Sequence, residues 1–214
     1  MIITKEQLFG ENRMSKQDKI NLFESLLLST DRDGMNRVIE YLRKTDFYDA
    51  PASSKYHSNY ESGLLDHSLM VYNLAESFFD SMKMIDPEIT TTVSKESIII
   101  SALLHDICKT CFYRKTVKWK KDEHNDWFPY DGYEIEDTFP IGHGEKSVIM
   151  LLKIGLDINT CEMLAIRYHM GFWGESNIEF KSAMKSAIKM CPLVVLLQQA
   201  DCAATMMFEK EIEV

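Results

Sequence analysis

Four histidines and an aspartate sit where a helical core should be apolar, and no other feature constrains this chain as much. His67 falls on the stripe that continues through Val71 and Leu74. His105, with Asp106 beside it, closes the apolar run that starts at Ile98. His143 opens a helix in Gly142-His143-Gly144-Glu145, and His169 shares a face with Ala165 and Ile166. Asp201 occupies the middle of a stripe made by Leu193, Leu197, Ala204 and Phe208, at the three- and four-residue steps of an α-helix. One histidine on an apolar face is usually a hydrogen-bonded core residue. Histidines on several helices, together with a carboxylate, need a shared reason. An unpaired carboxylate in such a place costs several kcal/mol or stays protonated. A divalent ion held by imidazole and carboxylate compensates all of these groups, and the donor set suits Fe, Mn, Ni, Co or Zn. The competing reading buries Asp201 against an Arg or Lys.

The rest of the chain is mostly helical in pattern. Ile20, Phe23 and Leu27 form one stripe, and Met35, Val38, Ile39 and Leu42 form another. Helices are expected from Gly63 to about Met82, from Lys95 to about Lys109, from His143, from Asn159 to Met170, and from Pro192 to about Glu209. Asn159 and Glu162 have the spacing of a capping box, and Gly171 can close that helix. The expected organisation is a 1–48 helical segment packed on a 49–214 main domain, with an inserted β-hairpin at 112–139. That insertion alternates aromatic and charged residues around a turn at Asp122–Asp126. Its first arm carries Arg114, Lys115, Lys118, Lys120 and Lys121, and its return carries Asp131, Glu134, Glu136 and Asp137. The arms either grip a phosphate-bearing ligand or neutralise each other across the hairpin, and the second is the favoured reading.

No apolar run approaches the roughly 20 residues that span a bilayer, and the N-terminus lacks the pattern of a secretory signal. The five cysteines read as free thiols in a reducing compartment, so a cytoplasmic location is expected. The net charge of −9 disfavours a long nucleic acid as partner.

The order His67, His105-Asp106, His143, His169, Asp201 resembles the HD-domain superfamily of metal-dependent phosphohydrolases, in the subgroup that holds two metals. The resemblance runs from about Ala50 to Thr205. It implies an all-α HD-domain helical bundle. It also implies two divalent metal ions bridged by Asp106, with His67, His105 and Asp201 completing one and His143 and His169 the other. The stretch Ala50 to Ser68 is similar to the entry of the HD domain in bacterial 3′–5′ exoribonucleases. Those enzymes carry an OB barrel, for which the residues before Ala50 leave no room, and their second glycine is Ser62 here. The cyclic-dinucleotide phosphodiesterases of the superfamily carry a Gly-Tyr-Pro motif that does not follow this site.

On this basis the expected activity is hydrolysis of a phosphate ester, on a small phosphorylated substrate of nucleotide type. Asp106 and Lys109 are the catalytic candidates. Lys109 lies one turn beyond His105 and resembles the Lys of His-Asp-x-x-Lys that contacts substrate phosphate in HD enzymes; its alternative role is to complement the helix dipole. His57 and Arg114 are the other substrate-binding candidates, with a solvated loop position as the alternative for His57. The pair Cys108 and Cys111 reads as incidental. Two further functions share the ligand set: a di-iron oxygenase of the same superfamily, and a binding module with a structural metal. Ligands alone do not separate these, and the oligomeric state is not encoded in any visible pattern.

Overall fold

The computed structural model describes residues 3–55, 58–171 and 177–209. The chain folds as helices around one core, with a single two-stranded antiparallel sheet among the described residues. The helices are α1 (Lys5–Phe9), α2 (Lys16–Leu28), α3 (Met35–Lys44), α4 (Gly63–Ile85), α5 (Lys95–Leu104), α6 (His143–Ile154), α7 (Thr160–Tyr168), α8 (Ile178–Met190) and α9 (Leu193–Ala203). Strands β1 (Tyr113–Lys121) and β2 (Trp127–Ile135) lie between α5 and α6. No single helix among the described residues is long and apolar enough to cross a membrane.

Helix α4 forms the axis of the core, buried without interruption from Gly63 to Ala75 and packed against α5 and α9. A helix surrounded on all sides need not be amphipathic, and its buried polar residues Asp66, His67, Ser68 and Asn73 are hydrogen-bonded. Helices α2 and α3 join the same core through Phe23, Leu27, Val38 and Leu42. Behind them Phe23, Phe47 and Tyr48 meet at ring separations of 5.4–5.9 Å, two of the three pairs edge-on. Two buried ion pairs cross the core: Lys19 to Asp66 at 2.7 Å, and Arg32 to Glu162 through two contacts of 2.8 Å.

Several helix ends differ from the sequence expectation. The apolar run from Ile98 stops being α-helical at Leu104, and a short 3-10 turn, Ile107–Lys109, replaces the expected last turn. Asp106 between them has φ −105° and ψ 19°, a conformation that breaks the helix. The final helix stops at Ala203 and continues as a wider π-turn, Ala204–Phe208. Helix α8, which the sequence analysis does not assign, is capped by Asn177 and buries Phe180, Met184 and Ala187. The capping box of α7 forms as expected, with Asn159 and Glu162 exchanging side-chain and backbone hydrogen bonds.

The hairpin forms with Tyr113 opposite Ile135 and Lys121 opposite Trp127. Charge neutralisation across it is narrower than expected. Arg114 pairs with Glu134, but Lys115 leaves the hairpin for Glu61 at 2.9 Å. Lys120 lies over the Phe128 and Tyr130 rings, and Lys121 over Trp127. These are cation–π contacts, which the aromatic content of the return strand favours over a carboxylate ladder. The expectation of five free thiols is also corrected: Cys161 and Cys191 are joined as a disulfide, leaving Cys108, Cys111 and Cys202 free. The first turn of α7 and the end of α8 bring those two residues to a Cα separation of 5.6 Å, well within bridging range.

Glu162 ties three segments together, since it caps α7, accepts from Arg32 and accepts from Ser97 Oγ at 2.7 Å. Removing one partner of a fully buried pair costs about 3–5 kcal/mol. Arg32 keeps some solvent contact, so Glu162→Ala is expected to destabilise the fold by roughly 2–3 kcal/mol. Urea denaturation checks this; a loss below about 1 kcal/mol would show that the network is not a structural tie.

Candidate metal centre

Each histidine of the set is oriented by its outer ring nitrogen. His105 follows the last residue of α5, where the final carbonyls of a helix lack partners, and its Nδ1 lies 2.8 Å from Ala102 O. His169 does the same at the end of α7, with Nδ1 2.6 Å from Ile166 O. A carbonyl only accepts, so Nδ1 carries the proton in both rings, and in the neutral imidazole Nε2 keeps its lone pair. His67, in the second turn of α4, places Nδ1 2.6 Å from Glu209 Oε1, and Ser58 Oγ donates to the other Glu209 oxygen at 2.7 Å. His143 opens α6, its Nδ1 3.2 Å from the Cys108 sulfur. The next residue must be small: a Cβ on Gly144 would stand 2.3 Å from Arg167 O, so glycine lets α6 start against the end of α7 and sets His143 beside His169.

All four inner nitrogens face one carboxylate. Asp106 Oδ2 lies 3.5 Å from His67 Nε2 and 3.3 Å from His105 Nε2. Asp106 Oδ1 lies 2.6 Å from His143 Nε2 and 3.6 Å from His169 Nε2. Asp201 Oδ1 adds itself to the first pair, 3.3 Å from His67 Nε2 and 3.9 Å from His105 Nε2. Two triads among the described residues therefore have metal-binding geometry, His67-His105-Asp106 and Asp106-His143-His169, and Asp106 belongs to both.

The donor set fits divalent metal. His67 Nε2 and His105 Nε2 are 3.1 Å apart. Two lone pairs do not rest at that distance without a proton or a cation between them. Ligand nitrogens held about 2.0–2.1 Å from one ion are separated by a comparable amount. His169 Nε2 is fully buried and has no hydrogen-bond partner among the described residues, the nearest Asp106 oxygen lying 3.6 Å away, which suits a nitrogen that would bind an ion. The cluster is sealed on most sides. His143 and Asp201 are the partly exposed members, with side chains 32% and 14% exposed, and they mark the open side.

Burial and mutual charge act in opposite directions on these groups. Burial disfavours a charged His67, but Glu209, Asp106 and Asp201 outweigh it and hold its pKa well above the ordinary value. His169 is raised in the same way, against burial, by Asp106 and Asp201. Burial prevails at His105 and His143, which are lowered. Burial works against the charge of Asp106 also, yet Lys109, His105 and His143 keep its carboxyl well below the usual range. Asp201 is depressed too, by His67 foremost once burial is overcome.

The six sequence-derived ligand candidates come together at one point. Lys109 joins them, its Nζ 2.6 Å from Asp106 Oδ2. Burial opposes its charge, but Asp106 raises its pKa above that of an ordinary ammonium. Arg114 does not join them: it is exposed and committed to Glu134 and Glu136. Strand alternation turns Tyr113 the other way. Its hydroxyl lies in the field of Lys109 and Asp106, with its pKa pushed up to about 12 by burial. His57 lies outside the described residues. Three contributors escape the sequence analysis: Glu209, Cys108 and Tyr113. Glu209 has no distinguishing signal beside the acidic residues that follow it. Cys108 is buried, its thiol pushed up to about 12 by burial, and it supports His143 as a neutral partner.

The family model for the HD domain matches residues 64–206. A dihydroneopterin 2′,3′-cyclic phosphate phosphodiesterase from Methanocaldococcus jannaschii is 35% identical over 117 residues, covering 55% of this chain and 41% of that protein. The chain thus spans less than half the length of that relative. No solved structure matches.

An ion binding these nitrogens competes with protons for His67 and His169, whose pKa values are raised. This competition therefore extends upward from the ordinary histidine range near ~6.5. Metal affinity is expected to rise with pH through that window and to level off once both imidazoles are neutral. Calorimetric titration with Mn²⁺ in buffers of different ionisation heat should show proton release near neutral pH. Binding without proton release, and with a flat pH profile, would contradict the protonation scheme.

Proposed function

The chain belongs to the HD-domain superfamily of phosphohydrolases, and from that premise we propose that it hydrolyses a phosphate ester with two divalent ions bridged by Asp106. The observation that carries this reading is the division of the Asp106 carboxylate, one oxygen facing His67 and His105, the other facing His143 and His169. In this reading Asp201 completes the first site. The ions, Fe, Mn, Ni, Co or Zn, would supply Lewis acidity and an activated water at neutral pH.

The protein's own groups supply the rest. Asp106, held ionised, would hold the ions through its carboxylate. The backbone carbonyls of Ala102 and Ile166 keep His105 and His169 in the tautomer that presents Nε2, and the Glu209 carboxylate makes His67 a stronger donor. Lys109 keeps its charge and stands beside Asp106, where a short swing would bring its ammonium to a phosphoryl oxygen. Substrate would enter on the side of His143 and Asp201. Tyr113 and Lys109 would border that entrance at the base of the hairpin.

The substrate class proposed is a small phosphorylated molecule of nucleotide type. The cyclic-phosphate activity in the name of the archaeal relative supports a diester. The acidic net charge of −9 speaks against a long nucleic acid. We assign the chemistry to residues 49–214, with 1–48 as a helical segment against them and 112–139 as an insertion at the site. A cytoplasmic setting suits such a substrate and the three free thiols; the Cys161–Cys191 pair would there be exposed to reduction.

Two experiments test this reading. Asp106→Ala is expected to lose both ions and all hydrolysis, whereas Asp201→Asn should weaken one ion and leave the fold intact; elemental analysis with activity on cyclic nucleotides and nucleoside monophosphates reads both. Full metal content in Asp106→Ala would refute the bridging role. Lys109→Ala should retain metal and lower kcat by roughly 10²–10³, the usual cost of a group aimed at developing charge. An unchanged kcat would assign Lys109 to charge balance alone. Activity that requires oxygen and iron would point instead to an oxygenase.

A further inference from the structure

A cavity lies apart from the metal cluster, and none of the six candidate ligands is among its lining residues. Its volume is about 760 Å³, within the range of small-molecule sites. Leu8 forms part of its surface, and the Phe9, Tyr60 and Phe208 rings give it aromatic walls. Lys5 and Arg13 bring two cations to it, and Glu6 one anion. Asp66 also reaches it, but both of its oxygens are engaged, one by Lys19 at 2.7 Å and the other by the Tyr60 hydroxyl at 3.0 Å. The Asp66–Lys19 pair is therefore neutral overall, and the remaining lining carries a net positive charge in a protein whose total is −9.

Neither Lys5 nor Arg13 forms an ion pair among the described residues; Lys5 instead stands 6.0 Å over the Phe208 ring. One cation over an aromatic ring and a second on the same lining, in a recess of this size, match a ligand that joins a flat aromatic group to an anionic one. The walls come mostly from outside residues 64–206, the span matched by the HD-domain model, with Asp66 the exception. They are made where α1 and the loop after it cover the start of α4 and the end of the chain's last turn. Two walls adjoin the metal cluster in sequence: Asp66 precedes His67, and Phe208 precedes Glu209.

We propose that this cavity is a second small-molecule site, separate from the metals, that takes a compact aromatic anion of the nucleoside-monophosphate class. The ring packs between Phe9, Tyr60 and Phe208, and the phosphate meets Lys5 and Arg13. This site stands whether or not the metal centre hydrolyses phosphate esters.

The test is calorimetric binding of adenosine 5′-monophosphate to the full-length protein, with adenosine and inorganic phosphate as half-ligands. Asp106→Ala, stripped of the metals, should still bind one equivalent of the monophosphate, and each half-ligand should bind more weakly. The doubly substituted Lys5→Glu, Arg13→Glu protein should bind at least about tenfold more weakly, a difference of about 1.4 kcal/mol. Its metal content should be unchanged. A Lys5→Gln, Arg13→Gln variant, which only removes the charges, should fall in between and guards against misfolding. The proposal is overturned if wild type shows no binding at millimolar concentration, if Asp106→Ala abolishes binding, or if the charge-reversed protein binds as tightly as wild type.

Discussion

One carboxylate, 2% exposed, is shared by four imidazoles and an ammonium, and most of the architecture serves that arrangement. A buried Asp106 with no partners would be untenable. With Lys109 alone it would be a simple ion pair. The placement of four further nitrogen donors, two toward each oxygen, goes beyond what neutralising one charge requires. That surplus of donors is what the proposed ions would use.

The frame is built largely from the ends of helices. Stopping α5 at Leu104 and α7 at Tyr168 frees carbonyls that fix the neighbouring imidazoles, so the polar groups that terminate these helices also set the tautomers of the donors. Gly144 allows α6 to begin in contact with the end of α7. Helix α4, buried through its first four turns, carries His67 into the same space. Glu209 returns from the far end of the described chain to hold His67 from behind. Phe208, next to Glu209, also lines the separate cavity.

Much of this is legible in the sequence, for a definite reason. His67, His105, His169 and Asp201 break the hydrophobic periodicity of helices, and a polar residue on an inward face needs an explanation that a surface residue does not. His143 and Asp106 are legible through their neighbours, a Gly-His-Gly helix start and a His-Asp pair at the end of an apolar run. The supporting residues carry no such mark. Glu209 resembles the other acidic residues near the C-terminus, and Cys108 resembles an ordinary small core residue. The break at Asp106 is hidden because Ile107-Cys108-Lys109 contains no glycine or proline, so periodicity alone carries the helix through it. The Cys161–Cys191 pairing depends on where α7 and α8 meet, which spacing along the chain does not reveal. On the hairpin, charge pattern indicates neutralisation between the arms, but the Arg114–Glu134 partnership and the choice of aromatic rings by Lys120 and Lys121 rest on three-dimensional register.

The central claim is that Asp106 divides one carboxylate between two cations. Anomalous diffraction from crystals of the full-length protein loaded with Mn²⁺ tests it most directly. The account predicts two anomalous peaks, one on the His67-His105-Asp201 side and one on the His143-His169 side, each in contact with a different oxygen of Asp106. A single peak gathering ligands from both histidine pairs, or a fully loaded crystal in which Asp106 touches no ion and stays paired with Lys109, would contradict it.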